Sequence, residues 1–200
     1  PKSRPIILVD WTRIGDTHSA LVASLARDGR ALPVYFEVHS KYRLANPGVE
    51  QRFLERLKEV LPSDCRPILV TDGGYRNPWF HAVKAMGWLY VGRLSTHVYV
   101  QTNGSQKWMR NDALEGCAQH KPIDLGLCLT AKTNPMAHRV LIAPRFQRNP
   151  YRRPQKRRRG DRGRGHQRTV DRNRVPWILA TNISELSPKK IMAIYATRMQ

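Results

Sequence analysis

The spacing of apolar residues predicts an α/β fold, because strand-like runs come first and then alternate with runs at helical spacing. Two strand-like runs, Ile6-Ile7-Leu8-Val9 and Ile68-Leu69-Val70, are apolar throughout, as central strands covered on both faces are. The pairs Asn46-Pro47 and Asn77-Pro78 open the helical runs, with Pro47 at a first helical position behind an Asn cap.

Taken in order, residues 5–10 form a buried strand. Residues 18–26 and 31–39 follow as a hairpin around Asp28-Gly29, a pair suited to a tight turn. Leu32, Val34, Phe36 and Val38 alternate in its second arm and predict one half-buried face. Val49, Phe53, Leu57, Val60 and Leu61 then recur near the 3.6-residue period, giving an amphipathic helix that ends near Pro62. Residues 67–72 return as a buried strand. The second helix carries Phe80, Val83 and Met86 until Gly87, and Trp88 to Leu94 is again a strand. Residues 1–95 thus read as three strands, helix, strand, helix, strand.

From Thr96 to Pro144 the sequence predicts short β segments, at Val98–Gln101, Leu125–Thr130 and Val140–Ala143. Residues 145–174 hold thirteen Lys or Arg and two acids, Asp161 and Asp171, with few apolar side chains. Self-repulsion there predicts a segment, Arg152 to Arg174, that stays mobile without a polyanion. Trp177 to Thr181 reads as a strand, and Ser187-Pro188 caps a third helix carrying Ile191, Ile194, Tyr195 and Arg198. The chain opens without Met at Pro1 and stops at Gln200 inside that helical pattern, so it is expected to be a fragment.

Thirty-five Lys and Arg against fifteen Asp and Glu give +20 and a sequence pI near 10.8, the charge balance of a polyanion binder. Nucleic acid is the expected partner. No apolar run is long enough for a membrane span, and there is no signal-peptide pattern at the start, so neither is expected. Cys65, Cys117 and Cys128 are odd in number and form no C-x-x-C, which predicts buried thiols in a reducing compartment.

Asp10 and Asp72 each end an apolar strand. If those strands pair in parallel, the carboxylates meet at the carboxyl edge of the sheet, and they repel unless a cation lies between them. Mg²⁺ suits such a pair, with Mn²⁺ as the alternative. The other reading makes both residues turn formers. Asp16 reads as a surface residue, the histidines form no H-x3-H or H-E-x-x-H pattern, and Asp72-Gly73-Gly74 lacks the spacing of a nucleotide-binding loop.

The segments LVDWTRI (8–14), VTDGGYRNPWF (70–80), PWILATN (176–182) and IYATR (194–198) resemble successive landmarks of bacterial DDE-type insertion-sequence transposases of the insertion-sequence-four family. The resemblance spans nearly the whole chain. It implies a ribonuclease-H-like mixed sheet flanked by helices, with a β-rich insertion over 96–183 and the start of the last core helix over 184–200. It also implies two metal ions, Mg²⁺ or Mn²⁺, and metal-dependent cut-and-paste transposition. Asp10 and Asp72 match the first two catalytic, metal-binding acids. Tyr195 and Arg198 match the start of the signature Y-x2-R-x3-E-x6-K, whose Tyr and Arg approach DNA phosphates, and its Glu falls two positions past Gln200. Glu185 precedes the helix cap and is a poor substitute. Trp177 matches a Trp that stacks on a flipped base in relatives that form hairpin ends, and is otherwise a strand core residue. The basic run, with Arg157, Arg158 and Arg159, reads as a non-specific DNA contact.

The resemblance therefore implies a catalytic-domain fragment of a DNA transposase that acts on transposon-end and target DNA together with a second transposase subunit. The missing acid leaves the fragment inactive alone. A DNA-binding remnant or regulator is the alternative, and a nuclease of the same fold acting on branched DNA or RNA hybrids is a third reading.

Overall fold

The computed structural model describes residues 4–27, 29–114, 117, 121–143 and 176–199. Arg157, Arg158 and Arg159, with the rest of the basic run, lie outside the described residues, as does Asp28 of the hairpin turn.

Strands β1 (Ile6–Ile14), β2 (His18–Arg27) and β3 (Arg30–Ser40) form an antiparallel meander. Helix α1 (Pro47–Val60) leads to β4 (Ile68–Thr71), and α2 (Asn77–Ala85) leads to β5 (Leu89–Arg93). These two strands add in parallel beside β1. Then come β6 (Tyr99–Thr102), β7 (Met109–Arg110), β8 (Ile123–Thr130), β9 (Met136–Ile142) and β10 (Ile178–Thr181). The last helix is α3 (Pro188–Ala196), continued by a 3-10 turn over Thr197–Met199. All ten strands join one mixed sheet in the order β3-β2-β1-β4-β5-β10-β9-β8-β6-β7. Strands β6 to β10 therefore extend the same sheet.

Local chemistry explains the helices. Asn46 caps α1, its side-chain oxygen accepting from Gly48 N–H (3.0 Å) and Val49 N–H (3.1 Å), with Pro47 in the first turn. Ser187 stands at the α3 cap position but makes no side-chain cap bond, so Pro188 alone marks that start. On one face of the sheet, Phe53, Leu54 and Leu57 of α1 and Trp79, Phe80 and Val83 of α2 cover Ile7, Val9, Leu21 and Leu69. On the other, Ile191 and Tyr195 of α3 cover Val70, Val91, Leu141 and Leu179. Both faces of β4 are thereby buried, as its apolar run predicts.

Two expectations are corrected. Leu32, Val34, Phe36 and Val38 of β3 are exposed, Phe36 by 61%. Here α1 and α2 pack on the opposite face, where Tyr35 meets Phe53 with ring centroids 5.2 Å apart and its hydroxyl donates to Glu37. A bulge at Val34 also shifts the register, pairing Leu32 with Leu25 and taking it out of phase with Val34, Phe36 and Val38. Cys117 is exposed, whereas Cys65 and Cys128 are buried. Among the described residues, no helix is long and apolar enough to cross a membrane.

Candidate active site

Parallel pairing of β1 and β4 sets Val9 opposite Thr71, so the next residues, Asp10 and Asp72, emerge side by side at the carboxyl end of β4. The strand expected to stop at Asp10 in fact runs on to Ile14, because residues 10–14 keep pairing with β2, so Asp10 stands midway along β1. The Asp10 side chain is 48% exposed. Its partial burial raises the carboxyl above the ordinary range; Arg198 opposes that rise and the neighbouring Asp72 adds to it. Asp72 folds into a tight turn, its Oδ1 accepting from Gly74 N–H at 2.8 Å. A Cβ at Gly74 would lie 3.0 Å from that oxygen, so glycine keeps the approach open.

The turn is backed by the loop after β5. A Cβ on Gly73 would meet Ser95 Cα at 3.2 Å. Arg76 donates to Ser95 Oγ, while buried Asn111 donates to Ser95 O (2.6 Å) and accepts from His97 N–H (2.9 Å). Asn111 thus holds a loop in which His97 carries a left-handed φ of +77°.

Helix α3 reaches the pair from the other side. Arg198 Nη2 stands 3.6 Å from Asp10 Oδ1, and its Nη1 donates to Val9 O at 3.3 Å. Tyr195 is 1% exposed, packed edge-on against half-buried Trp177 with centroids 4.9 Å apart. Burial raises the Tyr195 hydroxyl pKa, countered by Arg198 and by Arg93, whose guanidinium reaches it from β5. Arg93 and Arg198, rather than the Tyr195 hydroxyl, place positive charge beside the carboxylates.

Behind the pair lie Glu50 and Tyr75. Glu50 accepts from Trp11 Nε1 at 3.1 Å, and its burial raises it above the usual carboxylate range. The Tyr75 hydroxyl is buried, feels the charges of Glu50, Asp10 and Asp72, and finds no hydrogen-bond partner among the described residues. Two hard carboxylate oxygen donors at one sheet edge suit Mg²⁺ or Mn²⁺. Among the described residues, no three His, Cys, Asp or Glu side chains are grouped closely enough to hold an ion by themselves.

The structure thus brings Asp10, Asp72, Arg198 and Tyr195 to one edge, with Trp177 packed behind Tyr195. Asp16 is exposed in a turn, and Glu185 pairs with Arg4 at 2.8 Å. Sequence reasoning missed Arg93 and Arg76, although Arg93 ends β5 much as Asp72 follows β4. It also missed Asn111, whose partners lie 14 and 16 residues away and leave no spacing signal.

An α/β sheet with paired carboxylates at the end of a central strand and arginines beside them is the candidate site. The chain belongs to the transposase DDE domain family, which matches residues 1–200. A comparison with curated proteins finds no match. Among solved structures it is similar to A. aeolicus Argonaute, at 8% identity and a TM-score of 0.44, and to Aa-Ago with externally bound siRNA, at 10% identity and the same TM-score. Each likeness covers 98% of this chain and 24% of the other, so the chain spans about a quarter of those structures.

Proposed function

We propose that this transposase domain belongs to the insertion-sequence-four group and serves Mg²⁺-dependent cleavage of transposon-end DNA and transfer of the freed 3′ hydroxyl to target DNA. The observation that carries this reading is the parallel Val9–Thr71 pairing, which sets Asp10 beside Asp72. In this account residues 1–95 are a ribonuclease-H-like core, 96–183 an insertion, and 184–200 the start of the helix that leads to the third acid.

Asp10 and Asp72 would hold the divalent ions, Mg²⁺ or Mn²⁺. When bound, two such ions activate the attacking oxygen and stabilise the leaving one in an in-line displacement. The tight turn fixes one Asp72 oxygen on Gly74 N–H and leaves the other for a ligand. Arg93 and Arg198 draw a phosphate to the edge, and Tyr195 orients them. Trp177 offers a ring to an extruded base once it parts from Tyr195. Arg157, Arg158 and Arg159 hold DNA without sequence preference, and a second subunit completes the assembly on the nucleoid. A second reading, a DNA-binding regulator without catalysis, is favoured by the position of Arg198, which already places a positive charge beside Asp10.

The test is a Mn²⁺ titration followed by electron paramagnetic resonance, with and without transposon-end DNA. We expect DNA to tighten Mn²⁺ binding, and Asp10→Asn or Asp72→Asn to remove that gain. Mn²⁺ binding indifferent to both substitutions sinks the ligand assignment.

A further inference from the structure

We propose that Arg139 is a positioning residue: from β9 it holds the segment that launches α3, and so sets where Arg198 stands against Asp10. The inference deepens the proposed function by naming what places its DNA-facing arginine.

Arg139 lies in a strand whose neighbours Val140, Leu141 and Ile142 are core residues, and its side chain is only 18% exposed. One guanidinium nitrogen, Nη1, donates to three backbone carbonyls of one segment: Ile183 (3.1 Å), Ser184 (3.1 Å) and Leu186 (2.7 Å). Nε and Nη2 donate to Asp124 Oδ2 of β8 at 3.0 and 2.6 Å. Burial would raise the Asp124 carboxyl, but these bonds, with one from Gly126 N–H, outweigh it and lower it. The guanidinium fork is thus fixed at one end by a carboxylate and gathers three carbonyls at the other.

The gathered segment ends at Leu186, just before the cap position, where Ser187 supplies no side-chain cap bond. Asn182 and Thr181 tie the start of this segment, through Tyr90 N–H, Trp88 O and Ile183 N–H, and the exposed Arg4–Glu185 pair is a peripheral tie. Arg139 is the side chain that reaches on to Leu186, next to the start of α3. The helix then runs to Tyr195 and, one turn further, Arg198. The device links the β8–β9 hairpin to the carboxylate edge without touching it.

Two substitutions separate positioning from plain stabilisation. Arg139→Lys keeps a cation but has a single nitrogen, which cannot hold Asp124 and the three carbonyls at once. Asp124→Asn keeps the carbonyl bonds and weakens only the anchor. By hydrogen exchange, we expect Arg139→Lys to speed exchange of Ile191–Ala196 by on the order of tenfold while β4 and β5 stay protected, with Asp124→Asn far milder. Millimolar guanidinium should restore protection to Arg139→Ala, and urea at the same concentration should not. The second arm measures DNA affinity in a cycle with Arg198→Ala. If Arg139 acts through Arg198, Arg139→Lys costs affinity in the wild-type background and nothing further beside Arg198→Ala. Equal effects of Asp124→Asn and Arg139→Lys on exchange, or α3 unchanged in both, overturns the proposal. An Arg198→Ala without effect on DNA defeats the DNA role of Arg198 and leaves the exchange arm to decide the clamp.

Discussion

Arg198 and Asp10, 188 positions apart in sequence, meet midway along β1, beside the carboxyl end of β4, with Nη2 3.6 Å from Oδ1. The same guanidinium donates to Val9 O, so the end of α3 is fastened to the strand that presents the carboxylate. This contact joins the two parts of the site that lie furthest apart in the chain.

Arg93 and Arg198 flank the pair, so each should neutralise one phosphate of bound DNA. Arg93→Ala and Arg198→Ala are each expected to reduce the slope of log K against log salt by about one unit. Binding isotherms at several salt concentrations measure this, and unchanged slopes would remove both residues from the DNA face.

Gly92 lies where β5 passes under α2. An added Cβ would stand 2.5 Å from two Phe80 ring carbons and 3.0 Å from Thr71 Oγ1. Gly92→Ala should therefore overpack the floor of the site and destabilise the domain by about 1–3 kcal/mol. Urea unfolding reads the change as a lower midpoint at constant slope.

His138 is buried between Tyr90, whose hydroxyl lies 2.7 Å from Nδ1, and Asn77, whose Oδ1 lies 3.3 Å from Nε2. Burial, with His81 and Lys84 nearby, lowers its pKa from 6.5 to about 4. The unfolded chain therefore takes up this proton at a higher pH than the folded one. Stability is full above pH 6.5 and falls as the pH drops towards about 4, by ~1.4 kcal/mol per unit at most. His138→Gln should flatten that slope in thermal unfolding between pH 7 and 4, and an unchanged slope would assign the acid sensitivity elsewhere.

Much of this architecture was legible in the sequence because its signals are local. Apolar runs gave β4 and the first half of β1, Asn46-Pro47 gave the start of α1, and the residue at the end of each apolar run gave Asp10 and Asp72. The reading erred where tertiary packing chose between faces. Nothing in the alternation of Val34, Phe36 and Val38 tells that α1 and α2 cover the side bearing Tyr35 and Glu37. Arg139 and Asn111 were invisible for a related reason, since their partners are backbone groups brought close only by the folded sheet.

The central claim is that Asp10 and Asp72 carry strand chemistry rather than DNA affinity. The most direct measurement is cleavage of labelled transposon-end DNA in Mg²⁺ by the protein expressed with its flanking reading frame, scored per bound complex. Cleavage that disappears in Asp10→Asn and in Asp72→Asn, with DNA binding kept, is the expected result. Weaker binding with undiminished cleavage per bound complex would contradict it.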